Sequence, residues 1–339
     1  MQLKPIADQV VVIMGASSGI GRETALHFAQ RGAKVVVSAR SEPGLLSLVD
    51  KIKGMGGEAT AVVADVAHFT QVQAVAKTAV EIYGRLDTWV HLASTSMWAT
   101  FEQTTPEEFK RIIDVNLTGQ AYGVMAALPH LRREGRGALI HISSVEARLP
   151  VPLQSAYAAS KHGVAGLLDT LRLELRHEGV PISVTNIIPS GINTPLFNKA
   201  RTKLGVKPRP LPIVYQPQLV VEAILYAAEY PIREITVGGA GKMFQLFRRM
   251  SPRMTDALLQ RIAYPLQRTD DPKSEDAPDT LFEPIEGQDR IEGDFGGEAK
   301  SWSVYTWLAT HPRLNRLAAG AAVGMIALLA VRGSRNGKS

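Results

Sequence analysis

A run of β-branched residues that ends in spaced glycines constrains this chain more than any other feature. Gln9-Val10-Val11-Val12-Ile13-Met14 reads as a short, fully buried strand. It runs straight into Gly15-Ala16-Ser17-Ser18-Gly19-Ile20-Gly21, and an amphipathic helix begins at Arg22. Glycine lets the backbone approach a phosphate with no Cβ in the way, while the following helix N-terminus offers free N–H groups and a partial positive charge. Gly15, Ser17, Ser18, Gly19, Ile20 and Gly21 are therefore candidate nucleotide-binding residues.

Further strands are expected at 34–38, 58–63, 87–92, 137–143, 182–188 and 234–237, separated by helical stretches of roughly ten to thirty residues. That alternation implies right-handed βαβ crossovers. The fold class is α/β, a Rossmann-type doubly wound parallel sheet of about seven strands with a C-terminal helical extension. In such a sheet ligands sit beyond the carboxyl ends of the strands. Gly15, Arg40, Asp65, Ala93, Ser144 and Pro189 all fall at those ends. Arg40 and the Ser41 hydroxyl would attract a 2′-phosphate where an acidic residue would repel it, so NADP(H) is preferred over NAD(H). Asp65-Val66 closes the third strand, where adenine would lie.

The chemistry is expected on a helix over 155–177. Tyr157 and Lys161 stand at i and i+4, one above the other on one face. A phenol titrates near 10 in water, and a cation one turn away favours its ionised form. Ser144 precedes the tyrosine by thirteen residues. Asn116 lies inside the helical pattern 106–133, where asparagine is a poor choice, so a kink with a polar task is expected there.

Taken together, Gly15-x-x-x-Gly19-x-Gly21, Asn116, Ser144, Tyr157 and Lys161 resemble the short-chain dehydrogenase/reductase family in order and spacing, over about residues 6–239. The resemblance implies that Tyr157 is the general acid or base toward the substrate oxygen. Lys161 would lower its pKa and hold the nicotinamide ribose, Ser144 would orient the carbonyl, and Asn116 would hold a relay water. Thr194 would bond the nicotinamide carboxamide. Three departures stand out: Met14 before the first glycine, His91-Leu92-Ala93-Ser94 at the end of the fourth strand, and Ser190 after Pro189. His91 is read as a structural substitute.

The net charge of +6 is unevenly spread. Residues 268–299 hold eleven acidic side chains against three basic ones, a local −8 that leaves +14 elsewhere. A basic body suits anionic partners such as phosphorylated cofactors or acidic headgroups. No nucleic-acid signature is found, and no metal-ligand set is expected. Cysteine is absent, which permits a reducing cytosol.

The resemblance places the substrate lid at residues 195–216, where it would be apolar beneath and cationic outside. Met243, Phe244, Leu246, Phe247 and Met250 make an apolar stripe expected to pack in the core, with a membrane or substrate-entry surface as the alternative. Residues 1–265 are expected to be the NADP(H)-binding catalytic domain and 266–300 an acidic disordered linker. Residues 301–339 are expected to carry a hydrophobic helix with basic flanks, a candidate membrane anchor through 317–331, or else a helix docked on protein. The resulting expectation is a cytoplasmic NADP(H)-dependent oxidoreductase acting on a carbonyl or alcohol of a lipophilic small molecule, associated with a membrane where the C-terminal tail serves as the anchor; the resemblance implies a dimer or tetramer. The alternative is a non-catalytic nucleotide-binding scaffold or redox sensor with the same fold.

Overall fold

The computed structural model describes residues 1–311. Seven parallel strands form its central sheet: β1 (Val10–Met14), β2 (Lys34–Ala39), β3 (Glu58–Val63), β4 (Thr88–His91), β5 (Gly137–Ile142), β6 (Ile182–Pro189) and β7 (Glu234–Val237). They lie in the order β7-β6-β5-β4-β1-β2-β3. The chain first winds outward from β1 through β2 to β3 and then returns to place β4 on the other side of β1. This reversal opens a crevice at the carboxyl ends of β1 and β4, the switch point where ligands bind in such sheets.

Alternation within the strands explains why both faces are covered. Val11, Ile13, Val35 and Val37 point into a core shared with α1 (Gly19–Gln30), α2 (Glu42–Gly54) and α8 (Gln218–Glu229). Val10, Val12, Met14 and Val36 point the other way, onto α3 (Phe69–Tyr83), α5 (Gly119–Arg133) and α6 (Ser155–His177). All five β1 residues are buried, as an unbroken apolar run in a doubly covered sheet should be.

The helical pattern over 106–133 is interrupted where Asn116 predicts it. The helix α4 (Pro106–Ile113) starts on a capping box between Thr105 and Glu108 with Pro106 in its first turn. A π-helical turn, Asp114–Thr118, then widens the spiral before α5 begins. Such turns occur mostly as single insertions at functional sites.

Residues 266–300 differ from the disordered linker expected of them. Arg268–Pro272 pairs antiparallel with Val206–Pro208, and Lys300 bridges to Tyr215. Between these points the chain crosses the rim of the sheet as a strap. Leu281 is wholly buried among Met97, Ala99, Ile112 and Ala156, and Phe295 packs on Trp98 and Phe197. The acidic charges find partners in the basic lid: Arg201 Nε meets Asp279 at 2.8 Å, Arg209 Nη2 meets Glu298 at 2.6 Å, and Lys207 pairs with Asp294. Part of the basic surplus is thus answered by the chain itself.

Past β7 come α9 (Gly239–Met250) and α10 (Pro252–Leu266). The apolar stripe of α9 departs from the core packing expected of it. Phe244 packs beside Leu149 and Leu259, but Met243, Leu246 and Met250 face solvent while Gln245 is buried. A last short helix, α11 (Val304–Thr310), docks beside α8 and β7, where Thr306 accepts a hydrogen bond from Gly238 N at 3.0 Å. Among the described residues no helix is long and apolar enough to cross a membrane. The stretch 317–331 lies outside the described residues.

Candidate active site

One cavity of about 580 Å³ opens along the carboxyl ends of β1, β4, β5 and β6. Its lining gathers Gly15, Ser17, Ser18, Gly19, Ile20 and Gly21 with Arg40, Ser41, Asp65, Val66 and Ala93. Ser144, Tyr157, Lys161, Pro189 and Thr194 complete the same wall. Every cofactor-binding residue expected from sequence therefore borders this one space, and of the expected catalytic residues only Asn116 stands behind it.

Two glycines of the loop are required by contact. A Cβ on Gly21 would lie 2.1 Å from the Gly15 carbonyl oxygen, so the turn and the first helical turn touch backbone to backbone. Gly15 has φ +87°, and a Cβ there would meet Ala93 N at 2.6 Å. This close packing leaves the N-terminus of α1 bare toward the cavity, as a phosphate cradle demands. Lys199, at the end of α7 (Leu196–Lys199), extends to the loop and donates to Ser18 Oγ at 2.7 Å. Burial, with Arg40 nearby, pushes its ammonium down to about 8. A cation over a phosphate loop suits a diphosphate, and the sequence carries no signal for it because the lid that brings Lys199 there is irregular.

The Arg40 guanidinium is held by the strap. Its Nη1 and Nη2 donate to the carbonyls of Phe282 and Thr280, both at 2.6 Å. Three of its five N–H donors remain. Ser41 Oγ accepts from Gly44 N at 3.3 Å as the cap of α2, which leaves its own proton to give. Asp65 is paired with Arg111 at 2.6 Å, a contact that pulls its carboxyl below the usual range. The strap reaches the loop as well, where Gly19 N donates to Arg290 O at 3.0 Å.

At the other end of the cavity α6 presents Tyr157 and Lys161. Lys161 Nζ stands 5.3 Å from the centre of the Tyr157 ring and donates to Ile142 O at 3.1 Å. Burial drives the phenol well above its ordinary value; Glu146 adds to that, and a hydrogen bond with Ser144 pulls back. Burial also lowers Lys161, to about 7, against the pull of Glu146. The sequence expectation that lysine lowers the phenol is thus outweighed by desolvation in the free protein, and Tyr157 is held as an acid.

Asn116 is wholly buried with all four side-chain bonding positions in use. Its Nδ2 donates to Thr95 O at 2.8 Å and Ser160 Oγ at 3.2 Å, and its Oδ1 accepts from Thr95 N at 2.8 Å and Ser94 Oγ at 3.1 Å. The amide clamps the loop after β4 to α6, so a relay water has no place on this side chain. Ser94, the departure at the strand end, is one of the clamped groups. His91 is buried, stacked on His141 with ring centres 5.6 Å apart, and accepts from Trp89 Nε1 at 3.3 Å. It faces the core and not the cavity.

The floor on the lid side is a polar network that the sequence did not reveal. Gln154 accepts from Ser96 Oγ at 3.1 Å and donates to Gln267 Oε1 at 3.0 Å, which Trp98 Nε1 also meets at 3.0 Å. These residues come from three segments, and only the tertiary structure assembles them.

The pattern of the short chain dehydrogenases matches residues 9–205. The chain belongs to that family. Its similarity to an uncharacterized oxidoreductase of Bacillus subtilis, YxnA, is 37% identity over 337 residues, covering 99% of this chain and 94% of the relative. The full-length match takes in the strap and the region beyond it. Cyclohexanol dehydrogenase of an Acinetobacter species is 33% identical over 65% of this chain and 87% of its own length. The 3beta-hydroxysteroid dehydrogenase 1 of Eggerthella lenta is 38% identical over 56% and 72% respectively. As a short-chain dehydrogenase with such relatives, the protein is an oxidoreductase of CH–OH and carbonyl groups, in a family that uses nicotinamide nucleotides.

Proposed function

We propose that this short-chain dehydrogenase is an NADP(H)-dependent enzyme that interconverts a carbonyl and an alcohol on a lipophilic small molecule, with Tyr157 as general acid or base. The observation that carries the proposal is the opening of Tyr157, Lys161 and Ser144 into the same cavity as the glycine loop.

The residues fit a dinucleotide. The Gly15–Gly21 cradle, which a Cβ would fill, and Lys199 would hold the diphosphate; Arg40 and Ser41 would hold a 2′-phosphate; Asp65 and Val66 would border the adenine. Pro189 and Thr194 would flank the nicotinamide, and Lys161 its ribose. A bound nicotinamide supplies or receives the hydride. The protein's part is then to place the carbonyl and manage one proton. Ser144 orients the oxygen, and the phenol of Tyr157, protonated by its burial, donates to it as reduction proceeds. Lys161, anchored on Ile142 O, stabilises the tyrosinate left behind. Asn116 holds the loop after β4 against α6.

Trp98, Phe197, Leu196 and Leu211 line the substrate end, which supports an apolar substrate, as do the alicyclic alcohols in the relatives' names. The exposed Met243, Leu246 and Met250 support membrane association, and the exposed Met125 on α5 and Leu173 on α6 support pairing with a second copy. The decisive experiment is a panel of aldehydes, ketones and alcohols of graded hydrophobicity followed by NADPH absorbance. Apolar ketones should be reduced with NADPH. An absence of turnover with every member, in either direction and with either nucleotide, sinks the proposal.

A further inference from the structure

Among the described residues, Glu146 is the one buried carboxyl beside the proton-transfer groups that the mechanism does not use. It follows Ser144 by two positions in the short 3-10 turn Val145–Ala147, where its main-chain N–H donates to Ser144 Oγ at 3.2 Å. Its side chain lines the cavity and is 9% exposed. Among the described residues Oε2 is shut from solvent with no hydrogen-bond partner, so the exposure that remains to the residue, and with it any contact from the cavity, falls to the rest of the side chain. Lys161, the cation that acts on it, donates its hydrogen bond to Ile142 O instead. The rest of the cavity floor behaves differently: Gln154, Gln267, Ser96 and Trp98 satisfy one another.

Buried polar groups are almost always paired, and an exception calls for a missing partner. The missing partner here is a hydrogen-bond donor that enters the cavity. Arg40, Lys161, Lys199 and Arg209 are balanced along the lining by Asp65, Glu146, Glu286 and Asp289, but Lys161 already acts on this carboxyl, which disfavours a second ammonium beside it. An anion would meet a carboxyl. A neutral hydroxyl fits both constraints, since it can donate one hydrogen bond without adding charge. Since Glu146 and Ser144 leave the same turn, the hydroxyl must sit close to the reacting carbon.

We propose that Glu146 is a specificity-determining residue that accepts a hydrogen bond from a second hydroxyl on the substrate, placed one or two carbons from the reacting one. The substrates favoured are then hydroxy-ketones and the corresponding diols with an apolar remainder. The proposal rests on the reading of Ser144 and Tyr157 as the reacting centre. Burial, which pushes the carboxyl up to about 8, is consistent with a group awaiting a partner and leaves it able to accept in either ionisation state.

The test compares 1,2-octanediol with 2-octanol as ligands of the NADP⁺-loaded protein by calorimetry, and 1-hydroxy-2-octanone with 2-octanone as substrates. The wild type should bind the diol at least about tenfold more tightly and show a similar ratio in kcat/KM, since sites built to bond a hydroxyl reject analogues that lack it. The ratio should collapse toward one in Glu146→Leu and survive in part in the isosteric Glu146→Gln, whose amide oxygen still accepts. A merely structural role would weaken both members of each pair and leave the ratio intact, which overturns the proposal. Equal binding of diol and alcohol by the wild type overturns it as well. A diol preference without turnover of either ketone would count against the carbonyl chemistry and leave the Glu146 assignment standing.

Discussion

Replacing Asn116 by alanine removes four hydrogen bonds at once, and the structure sets the size of the effect. Two of the groups released, Ser94 Oγ and Ser160 Oγ, are hydroxyls that rotate, and Ser160 already donates to Tyr157 O at 2.6 Å. The other two, Thr95 N and Thr95 O, are main-chain groups fixed in place and buried with Thr95 itself. Each unpaired buried group costs about 1–3 kcal/mol, so the pair costs about 2–5 kcal/mol after water fills part of the space. With an unfolding entropy of about 2.1 cal/mol/K per residue, that lowers Tm by about 3–7 °C. Asn116→Asp sharpens the test, because it keeps the acceptor for Thr95 N but turns a carboxylate oxygen toward Thr95 O. It should be at least as unstable as the alanine variant above pH 7 and recover in part below pH 5, where the protonated acid can donate. Calorimetry across that range reads both variants. If Asn116→Ala melts within 1 °C of the wild type, or Asn116→Asp is insensitive to pH, the clamp is not what holds the loop after β4.

Other consequences are more quickly stated. Arg40→Ala should raise the Kd for NADPH about 10- to 100-fold and that for NADH by no more than about threefold, measured by fluorescence titration; equal losses would mean that Arg40 serves only to pin the strap through Thr280 and Phe282. Lys199→Gln should weaken NADPH and NADH alike, about tenfold, since a diphosphate is common to both; an effect on NADPH alone would move Lys199 to the 2′-phosphate. Glu23 and Glu146 are pushed by burial to about 7 and about 8, above the ordinary carboxyl value of 4.5. The folded state binds their protons more tightly, so their contribution is complete below that ordinary value and is lost as pH rises through 7 and 8. Compared with Glu146→Gln, which keeps every other titrating group, the wild type should therefore lose Tm as pH rises from about 5 to 8 and run parallel above that; parallel curves over the whole range would remove Glu146 from the account.

The sheet was legible because its strands are apolar runs with little else to become, and the glycine loop because only glycine allows the Gly15–Gly21 contact. Asn116 announced its π turn through a residue that helices avoid. The strap was not legible. Its acidic, proline-rich composition matches chains that stay unfolded, and its order depends on partners far away in sequence, such as Arg201 for Asp279 and the pocket around Leu281. The reading of the α9 stripe failed for a related reason: periodicity shows that a face is apolar, but not what covers it. Lys199, Gln154 and Glu146 lack a local pattern altogether, and it is the lid and the turn after β5 that bring them to the cavity.

The central claim is that Tyr157 passes the proton while the rest of the cavity holds nucleotide and carbonyl. Tyr157→Phe removes one oxygen and leaves the ring stacked beside Lys161. With the best ketone from the substrate panel, the account predicts an NADPH Kd within about threefold of wild type and a kcat lower by a factor of at least about 10². A Tyr157→Phe enzyme that binds NADPH and reduces that ketone at the wild-type rate would contradict it.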